Sequence, residues 1–517
     1  MGLIKTAMIV ASALAFDDGG AALNAQPITV TTGMIINDVT VVNTRDGSLT
    51  PGMAIYVDNG RIRKIAKAGS ILFTGTAQTV NASGKYVVPG YLDMHAHAMS
   101  SDGLAEIDLQ QTFRLMIANG ITGFREMAGS KELIAQGKSL NKEIEAGTMV
   151  APELLIIPGE LFNLSPRFLP PGANPPEIAA RKVLEQKQYG ADFIKILDVD
   201  RETFLAILDA ARKQDLDVAG HLNPDVRATE ASNAGMKAIE HMGPIISILL
   251  DCSTAEEMIR RKMAQQSMVP PSAPAGPPSR AMINRMIANP VMMRLSEGGE
   301  RIQFVIDTYS EEKCRVLAKV FVKNGTWQVP TLIRVRTMQI FDDPIYRNDP
   351  NLKYVASETK AMWEEIAEAY EQKAPAATKA TYRQLYDLQL KVVKLFNREG
   401  GKMLAGSDMT GGWCIPGFSL QQEFRELAKA GLSPLEILQM TTLNGAEFLK
   451  REATMGTVDE GKNADLVLLD ANPIENVENL ERISAVVLKG RYYSKAALEK
   501  MKRDVETFYE KREISCV

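Results

Sequence analysis

Three absences limit what this chain of 517 residues can be. No apolar run approaches the roughly 20 residues that a membrane-spanning helix needs, so we expect no membrane span. The formal net charge is only −4, which gives no electrostatic reason to expect nucleic acid or an acidic membrane as a partner. No Gly-rich phosphate loop follows a predicted strand, which argues against a nucleotide-binding sheet.

Cysteine is also scarce. The four cysteines, Cys252, Cys314, Cys414 and Cys516, lie far apart and form no Cys-x-x-Cys pair. This spacing predicts neither a disulfide framework nor a thiolate metal site. Cysteine usage therefore does not settle the cellular compartment.

The first 25 residues differ from the rest of the chain. Lys5 is followed by an apolar stretch at 6–16 and by small residues up to Ala25. A positive start, a short apolar core and a small-residue exit are the layout of a secretory signal. We therefore expect 1–25 to direct export, to the periplasm or the medium. The alternative is a cytoplasmic protein with an apolar N-terminal tail.

Both ends of the remaining chain have short alternating segments separated by turns. Residues 34–42 and 53–57 are examples near the N-terminus, and 466–469 and 485–488 are examples near the C-terminus. Such segments predict β-strands joined by tight hairpins. We expect 26–85 and 455–495 to form one β-subdomain, followed by a helical tail at 496–517.

The middle of the chain, 86–454, alternates short apolar runs with helical stretches, the pattern of βα units and a parallel sheet. Eight units point to an α/β fold of the (β/α)8 TIM-barrel type, whose site lies at the carboxyl ends of the strands. An open doubly wound sheet is the alternative. The eight predicted strands are Leu92–His97, Thr122–Met127, Leu154–Pro158, Phe193–Val199, Asp217–Asn223, Ala238–Gly243, Thr326–Leu332 and Met403–Asp408.

Two connections are too long for simple barrel loops, and we interpret them as helical insertions at about 245–317 and 334–398. The first contains a Pro-rich run at 269–278, which excludes regular helix or strand there. Methionines flank this run. They fit either the core of an inserted helical hairpin or an adaptable apolar lid over the substrate.

Histidine is also scarce, and its placement is the most informative feature. The four histidines, His95, His97, His221 and His241, all fall at the end of a predicted barrel strand. His95 and His97 form a His-x-His on a strand, so both rings lie on one face and can chelate one ion. His221 or His241 alone would indicate an ordinary polar residue. Together the four histidines predict a metal site.

Two further side chains belong to this group. Lys195 lies inside a predicted strand, where a buried ammonium is costly without a partner. It could be neutral, pair with Asp198 or Asp200, or add carbon dioxide and become an anionic carbamate that bridges two cations. Asp408 ends the last predicted strand, and beside metal-bound water its carboxylate is a suitable base.

These residues resemble the amidohydrolase superfamily, in particular its binuclear branch of imidazolonepropionase-like and prolidase-like hydrolases. The segment from Val88 to His97 is similar to the family's strand-one signature, and Gly456 to Val467 is similar to its C-terminal signature. The resemblance covers almost all of the chain after the first 25 residues. It implies that the terminal β-subdomain is a small β-sandwich beside the barrel.

The resemblance also implies the roles of the site residues. It assigns His95, His97 and Asp408 to the more buried of two divalent metal ions, expected to be zinc, with manganese, iron or cobalt also compatible. It assigns His221 and His241 to the more exposed ion, with the carbamate of Lys195 bridging both. A hydroxide shared by the metals would attack the substrate carbonyl, with Asp408 as the catalytic base.

The substrate implied is a small-molecule amide, such as an N-acyl amino acid or a dipeptide. Asn223, Arg334 and Trp413 follow strand ends and are candidate substrate contacts, although ordinary loop roles fit equally well. Lactonase or phosphotriesterase activity on the same metal set is an alternative. A mononuclear deaminase is disfavoured because it would carry His-x-x-Glu at His221. A non-catalytic scaffold would be expected to lose ligands. A homo-oligomer is compatible with the sequence.

Overall fold

The computed structural model describes residues 28–100, 108–164, 173–243, 246–267, 279–295 and 299–515. The secretory signal predicted at 1–25, the Pro-rich run at 269–278 and Cys516 lie outside the described residues. Within the described part of the chain, no helix is both long and apolar enough to cross a bilayer.

The described residues form seventeen strands and eighteen α-helices. The strands are β1 Ile28–Val30, β2 Met34–Val42, β3 Leu49–Asp58, β4 Arg61–Lys67, β5 Ile71–Phe73, β6 Gln78–Pro89, β7 Tyr91–Ala96, β8 Ile121–Glu126, β9 Glu153–Ile156, β10 Phe162–Asn163, β11 Phe193–Asp198, β12 Asp217–Gly220, β13 Ala238–Glu240, β14 Trp327–Val329, β15 Leu466–Leu469, β16 Ile483–Leu488 and β17 Arg491–Ser494. The helices are α1 Leu109–Ala118, α2 Lys131–Ala146, α3 Pro175–Tyr189, α4 Arg201–Lys213, α5 Ala228–Asn233, α6 Ser247–Asp251, α7 Glu256–Ser267, α8 Arg280–Ala288, α9 Gly299–Asp307, α10 Glu311–Asn324, α11 Leu332–Gln339, α12 Pro344–Arg347, α13 Ser357–Lys373, α14 Ala376–Arg398, α15 Phe418–Lys429, α16 Pro434–Met440, α17 Leu443–Phe448 and α18 Lys495–Ser515.

One seven-stranded sheet, here called the terminal sheet, joins the two ends of the chain in the order β17-β16-β15-β6-β2-β3-β4. Strand β6 connects the two halves, because it pairs antiparallel with β15 and parallel with β2. Alternating apolar side chains give the sheet a buried aliphatic cluster that includes Ile36, Ile55 and Val487. Asn59 and Gly60, both at positive φ, close the β3–β4 hairpin in the geometry that matches strand twist. The strands predicted at the two ends thus belong to one sheet.

The middle of the chain contains parallel strands that alternate with helices. They form two sheets, β7-β8-β9 and β10-β11-β12-β13-β14. An isolated parallel bridge from Pro158 to Phe193 connects the first sheet to the second. Seven of the eight predicted strands are therefore present, several of them shorter at the carboxyl end. The prediction of a strand through Leu332 was wrong at that end, because α11 begins there.

The eighth predicted strand, Met403–Asp408, is not a regular strand. Its backbone nevertheless bonds to neighbours on both sides: Leu404 N donates to Gln328 O at 2.9 Å, and Met94 N donates to Ala405 O at 2.9 Å. A separate apolar cluster takes side chains from β7, β9 and β11 to β14, from Met127 after β8, and from Leu404 and Phe448. Backbone hydrogen bonds therefore run from β7 through the two sheets and back to β7.

Helices occupy the described parts of both predicted insertions. Helices α6 to α10 occupy the first and α11 to α14 the second. The second insertion has its own buried side chains, among them Trp363 and Tyr382. In the first, Met258 and Met282 are exposed, whereas Met263 packs against the core.

A disulfide joins Cys252, at the end of α6, to Cys314 in α10, while Cys414 is a buried free thiol. This is a single disulfide and not a framework, and the spacing of the cysteines did not indicate it. The two cysteines are 62 residues apart in the sequence, and only the packing of α6 against α10 brings them together.

Candidate metal centre

Three histidine rings point their Nε2 atoms at one carboxylate. His95 Nε2 and His97 Nε2 each lie 3.3 Å from Asp408 Oδ1, and His241 Nε2 lies 3.8 Å from Asp408 Oδ2. These residues belong to β7, to the end of β13 and to the segment after Met403. They meet because the carboxyl ends of the parallel segments face the same way.

His221 and Lys195 complete the group. The His221 ring centroid is 5.2 Å from that of His241, which is 4.7 Å from that of His95. Gly220 precedes His221 at φ +132°, and a Cβ there would stand 2.1 Å from Ile196 O, so the close approach of β12 to β11 requires glycine. Lys195 is 2% exposed on β11, in register with Ala219.

The structure bears on the salt bridges considered for Lys195. Asp200 caps α4 by accepting from Thr203 N at 2.8 Å, and Asp198 accepts from Asn223 Nδ2 at 2.5 Å. Both carboxylates thus have other partners. The charged groups that act on Lys195 include Asp408 and Glu240.

The residues present fit a divalent metal ion. His95, His241 and Asp408 each offer a ligand atom, and these atoms lie within 4.8 Å of one another. His95 Nε2 and His97 Nδ1 are buried nitrogens for which the described residues supply no hydrogen bond, a costly arrangement for a polar atom. Imidazole and carboxylate are ligands that zinc and related ions prefer.

A second layer of oxygens lies behind the rings. Glu240 Oε2 is 2.7 Å from His95 Nδ1, and Thr331 Oγ1 is 2.6 Å from His241 Nδ1. Glu126 Oε1 lies 3.9 Å from His97 Nδ1. Such partners orient imidazole ligands and fix their tautomers.

Our sequence reasoning missed this second layer. Two of its members, Glu126 and Glu240, are charged residues inside predicted barrel strands. A charge in such a place needs a partner, and this signal could have identified both.

The backbone around the centre adopts left-handed conformations. Of the eleven non-glycine residues with positive φ in the described ranges, six lie in the loops that carry the site. They are His241, Met242, Thr331, Asp408, Thr410 and Trp413. For a β-branched residue such as Thr331, at φ 45°, this conformation is a true outlier. Such strain concentrates where side chains must be aimed for function.

Burial sets the charge of the site. It lowers the pKa of His97 to about 4 and that of His221 to about 3, so both rings are neutral at pH 7. Burial also lowers the pKa of Lys195 to about 8, against the attraction of Asp408 and Glu240. Burial alone would raise the pKa of Asp408, but the charges of His95 and His241 hold it well below its usual range.

His95 differs from its neighbours. Burial disfavours its charged form, but the charges of Asp408 and Glu240 outweigh burial and raise the pKa of the ring. The pocket therefore favours positive charge between these two carboxylates. A bound cation would supply it.

The three predicted substrate contacts have different surroundings. Arg334 is buried in α11, with Nε 3.4 Å from Asp408 Oδ2 and Nη1 donating to Ala288 O at 2.9 Å. Asn223 also donates to Val199 O at 2.8 Å. The Trp413 indole is packed among Phe341, Tyr346 and Trp363, and its Nε1 donates to Phe341 O at 3.2 Å. Among the contacts described for these three residues, only that of Arg334 with Asp408 reaches the centre.

Comparison with known sequences agrees with the signature near the C-terminus. Residues 389–492 match the sequence profile of the amidohydrolase family. An adenine deaminase of Rubrobacter xylanophilus is 31% identical over 90 residues, which are 17% of this chain and 14% of the relative. The chain matches less than a fifth of the length of its curated relatives.

Comparison with solved structures extends over nearly the whole chain. A bottromycin amidohydrolase has a TM-score of 0.65 at 18% identity, covering 92% of this chain and 90% of its own. A Xaa-Pro dipeptidase, solved with methionine in its active site, has a TM-score of 0.59 at 17% identity, covering 90% of this chain and all of its own. Residues 389–492 are therefore similar to the amidohydrolase family, and the α/β fold of the chain is similar to the folds of a bottromycin amidohydrolase and a Xaa-Pro dipeptidase.

Proposed function

We propose that this protein is a metal-dependent hydrolase that cleaves an amide bond in a small molecule, such as an N-acyl amino acid, a dipeptide or a related amide. The observation that carries the proposal is the convergence of His95, His97 and His241 Nε2 atoms on Asp408, at 3.3, 3.3 and 3.8 Å. Imidazole rings around an ionised carboxylate form a site for a divalent cation.

The proposed architecture is a closed (β/α)8 barrel at 86–454, with a β-sandwich at 26–85 and 455–495 and a C-terminal tail at 496–517. The circuit of backbone hydrogen bonds through Ala405 and the bridge at Pro158 supports barrel closure. The β1–β5 pair beside the terminal sheet supports a second layer there.

The proposed centre holds two ions, with zinc as the first choice. His95, His97 and Asp408 would hold the more buried ion, and His221 and His241 the more exposed one. Lys195, as a carbamate formed with carbon dioxide, would bridge them. The burial of Lys195 behind this cluster supports that role, because a carbamate would exchange a costly buried cation for a ligand.

When bound, the ions would polarise the substrate carbonyl and lower the pKa of water from 15.7 towards about 7. The residues of the chain would guide the proton. Asp408 Oδ2 would accept the proton of the attacking water and return it to the nitrogen of the leaving amine. The Arg334 guanidinium, 3.4 Å away, would keep this oxygen oriented. Small-molecule amides are therefore the proposed partners.

Export remains a proposal too. Residues 1–25 have the layout of a secretory signal. The Cys252–Cys314 disulfide is consistent with an oxidising compartment such as the periplasm. Cell fractionation and N-terminal sequencing of the mature chain test the proposal. A cytoplasmic protein with residues 1–25 intact would refute it.

The first experiment is elemental analysis of purified protein, expressed with bicarbonate, for the wild type and Lys195→Ala. We expect about two zinc-like ions per chain in the wild type and a sharp loss in the variant. Lys462→Ala is the control, because Lys462 is also a buried lysine (8% exposed) but lies outside the centre. One ion unaffected by Lys195→Ala would indicate a mononuclear enzyme.

A substrate panel then separates the reaction classes. N-acyl amino acids and dipeptides are assayed beside lactones and phosphotriesters, with metal-loaded and chelated protein. Metal-dependent cleavage of amides supports the proposal. Preference for lactones or phosphotriesters would replace it with the alternative chemistry on the same ions. Absence of metal under every loading condition would favour a non-catalytic scaffold.

A further inference from the structure

A buried ion pair lies directly behind His95. Arg125 Nη2 donates to Glu240 Oε1 at 2.8 Å and to Oε2 at 2.9 Å, and Oε2 is 2.7 Å from His95 Nδ1. Arg125 Nε also donates to Met94 O at 2.5 Å. The contacts therefore form a closed path from the backbone next to His95, through Arg125 and Glu240, to the His95 ring.

This arrangement is costly to bury. Arg125, Glu240 and His95 are all 0% exposed. Removing ions from water costs several kcal/mol each, and well-packed apolar residues at such positions are often as stabilising or more so. Stability alone therefore does not account for the ion pair. The contact of Glu240 with the His95 ring points instead to a role in orienting that ring.

The chemistry of the pair determines which His95 nitrogen is free. An ionised carboxylate only accepts hydrogen bonds, so His95 Nδ1 must carry the proton that it donates to Glu240. In the neutral ring, the Nε2 lone pair then faces Asp408, 3.3 Å away, and is available to a cation. A charged acceptor behind the ring also makes Nε2 a stronger ligand.

The other rings have weaker support. His241 Nδ1 contacts the neutral hydroxyl of Thr331. His97 Nδ1 is 3.9 Å from Glu126, beyond hydrogen-bond distance, and the Glu126 oxygens already accept from the backbone of Met99 and Ala128. The contacts described here thus give a carboxylate hydrogen bond to His95 but not to His97 or His241.

We propose that Glu240, anchored by Arg125, is a positioning residue that fixes the orientation and tautomer of His95 and so strengthens the ion position formed by His95, His97 and Asp408. The proposal makes the two ion positions unequal, because the partner described for His241, in the other position, is a neutral hydroxyl and not a carboxylate. It rests on the proposed metal centre but not on the substrate.

The test is Glu240→Gln, which preserves size and removes the charge. Co²⁺ is titrated into metal-free protein, and binding is followed by calorimetry and by the visible absorption spectrum of the bound ion. We expect the affinity of one of the two ions to fall by about 10–100-fold. The affinity of the other ion should stay within about twofold, and the spectrum of the weakened ion should change.

Glu153→Gln is the matched control. Glu153 pairs with Arg451 at 2.7 Å and with Lys489, but it begins β9 and so lies at the opposite end of the parallel segments. This variant should lose stability and bind Co²⁺ like the wild type. A folded Glu240→Gln protein with wild-type Co²⁺ affinities and spectrum would overturn the proposal.

A second measurement avoids the variant if Glu240→Gln fails to fold. The wild type is labelled with ¹⁵N in its four histidine rings, and the tautomers are read by NMR, with His95→Asn to assign the signal. We expect His95 as the Nδ1–H tautomer with a strongly downfield proton. An Nε2–H tautomer would overturn the proposal. A wild type that binds Co²⁺ but hydrolyses no amide would refute the proposed function and leave this inference intact.

Discussion

The terminal sheet buries aliphatic side chains such as Ile36 and Val487, whereas the metal centre buries His95, Lys195 and Glu240. In the sheet, positive φ in the β3–β4 hairpin falls at Asn59 and Gly60, which tolerate it. At the centre it falls at threonine, histidine and aspartate. In the terminal sheet, residue types suit their burial and backbone conformation, whereas at the candidate centre they do not.

The difference indicates what each region is for. Local preferences and burial agree in the sheet, so substitutions there should change stability and leave chemistry intact. At the centre, polar burial and backbone strain are held in place by surrounding structure, as in sites that function at a cost in stability. Substitutions there should change metal binding and rate more than stability.

The largest expected effect comes from Asp408→Asn. Loss of a ligand and proton carrier should lower kcat/KM for the best amide by about 10³-fold or more. Asp470→Asn, in a terminal-sheet ion pair with Lys85 at 2.6 Å, is the control and should keep its rate. If Asp408→Asn and Asp470→Asn had equal kcat/KM, the candidate centre and the terminal sheet would not differ in what they contribute to the rate.

Ile36→Ala should show the reverse behaviour. Ile36 is fully buried in the sheet cluster, so truncation should lower the free energy of unfolding by about 2–5 kcal/mol. Ile36→Val should cost about 0.5–1.5 kcal/mol. Urea unfolding gives the stabilities, and kcat per folded molecule should equal that of the wild type. A lower kcat would show that the sheet supports the centre.

A third prediction concerns the joint between the two regions, where Glu153 pairs with Arg451 and with Lys489 of the terminal sheet. Burial opposes its ionisation, but Lys489 and Arg451 outweigh burial and lower the pKa of Glu153 below the usual 4.5. Its stabilisation is thus complete above pH 4.5 and is lost as the pH falls through the lower, folded-state value.

Glu153→Gln should therefore lower the free energy of unfolding at pH 7 by about 1.5–3 kcal/mol, the range for hydrogen bonds to charged groups. The difference from the wild type should shrink as the pH falls below about 4.5. Urea unfolding at a series of pH values gives this profile. A difference that does not vary with pH would show that the ion pair adds nothing.

The smallest expected effect on stability is that of Thr331→Gly. Glycine relieves the φ of 45°, so the free energy of unfolding should stay within about 1 kcal/mol of the wild type. Co²⁺ affinity should fall because His241 loses its hydroxyl partner. Asn59→Gly relieves a similar φ in the terminal sheet and should leave Co²⁺ binding unchanged. Unchanged Co²⁺ binding in Thr331→Gly would show that the hydroxyl does not support the ring.

Sequence alone determined much of this protein. Period-two alternation predicted the strands of the terminal sheet, because one buried face imposes that pattern. Alternation of apolar runs with helices predicted seven of the parallel strands. The placement of His95, His97, His221, His241 and Asp408 at strand ends predicted a shared site, since parallel strands end on one side.

Tertiary structure decided the rest, because partners distant in the sequence have no local signal. The pairing of Glu240 with Arg125 and His95 joins three strands, and no spacing encodes it. The Cys252–Cys314 disulfide depends on how α6 packs against α10. The irregular segment at 403–408 follows from bonds to β14 and β7 together. Periodicity in the sequence indicates which face of a strand or helix is buried. Only the folded structure determines which residues that face contacts.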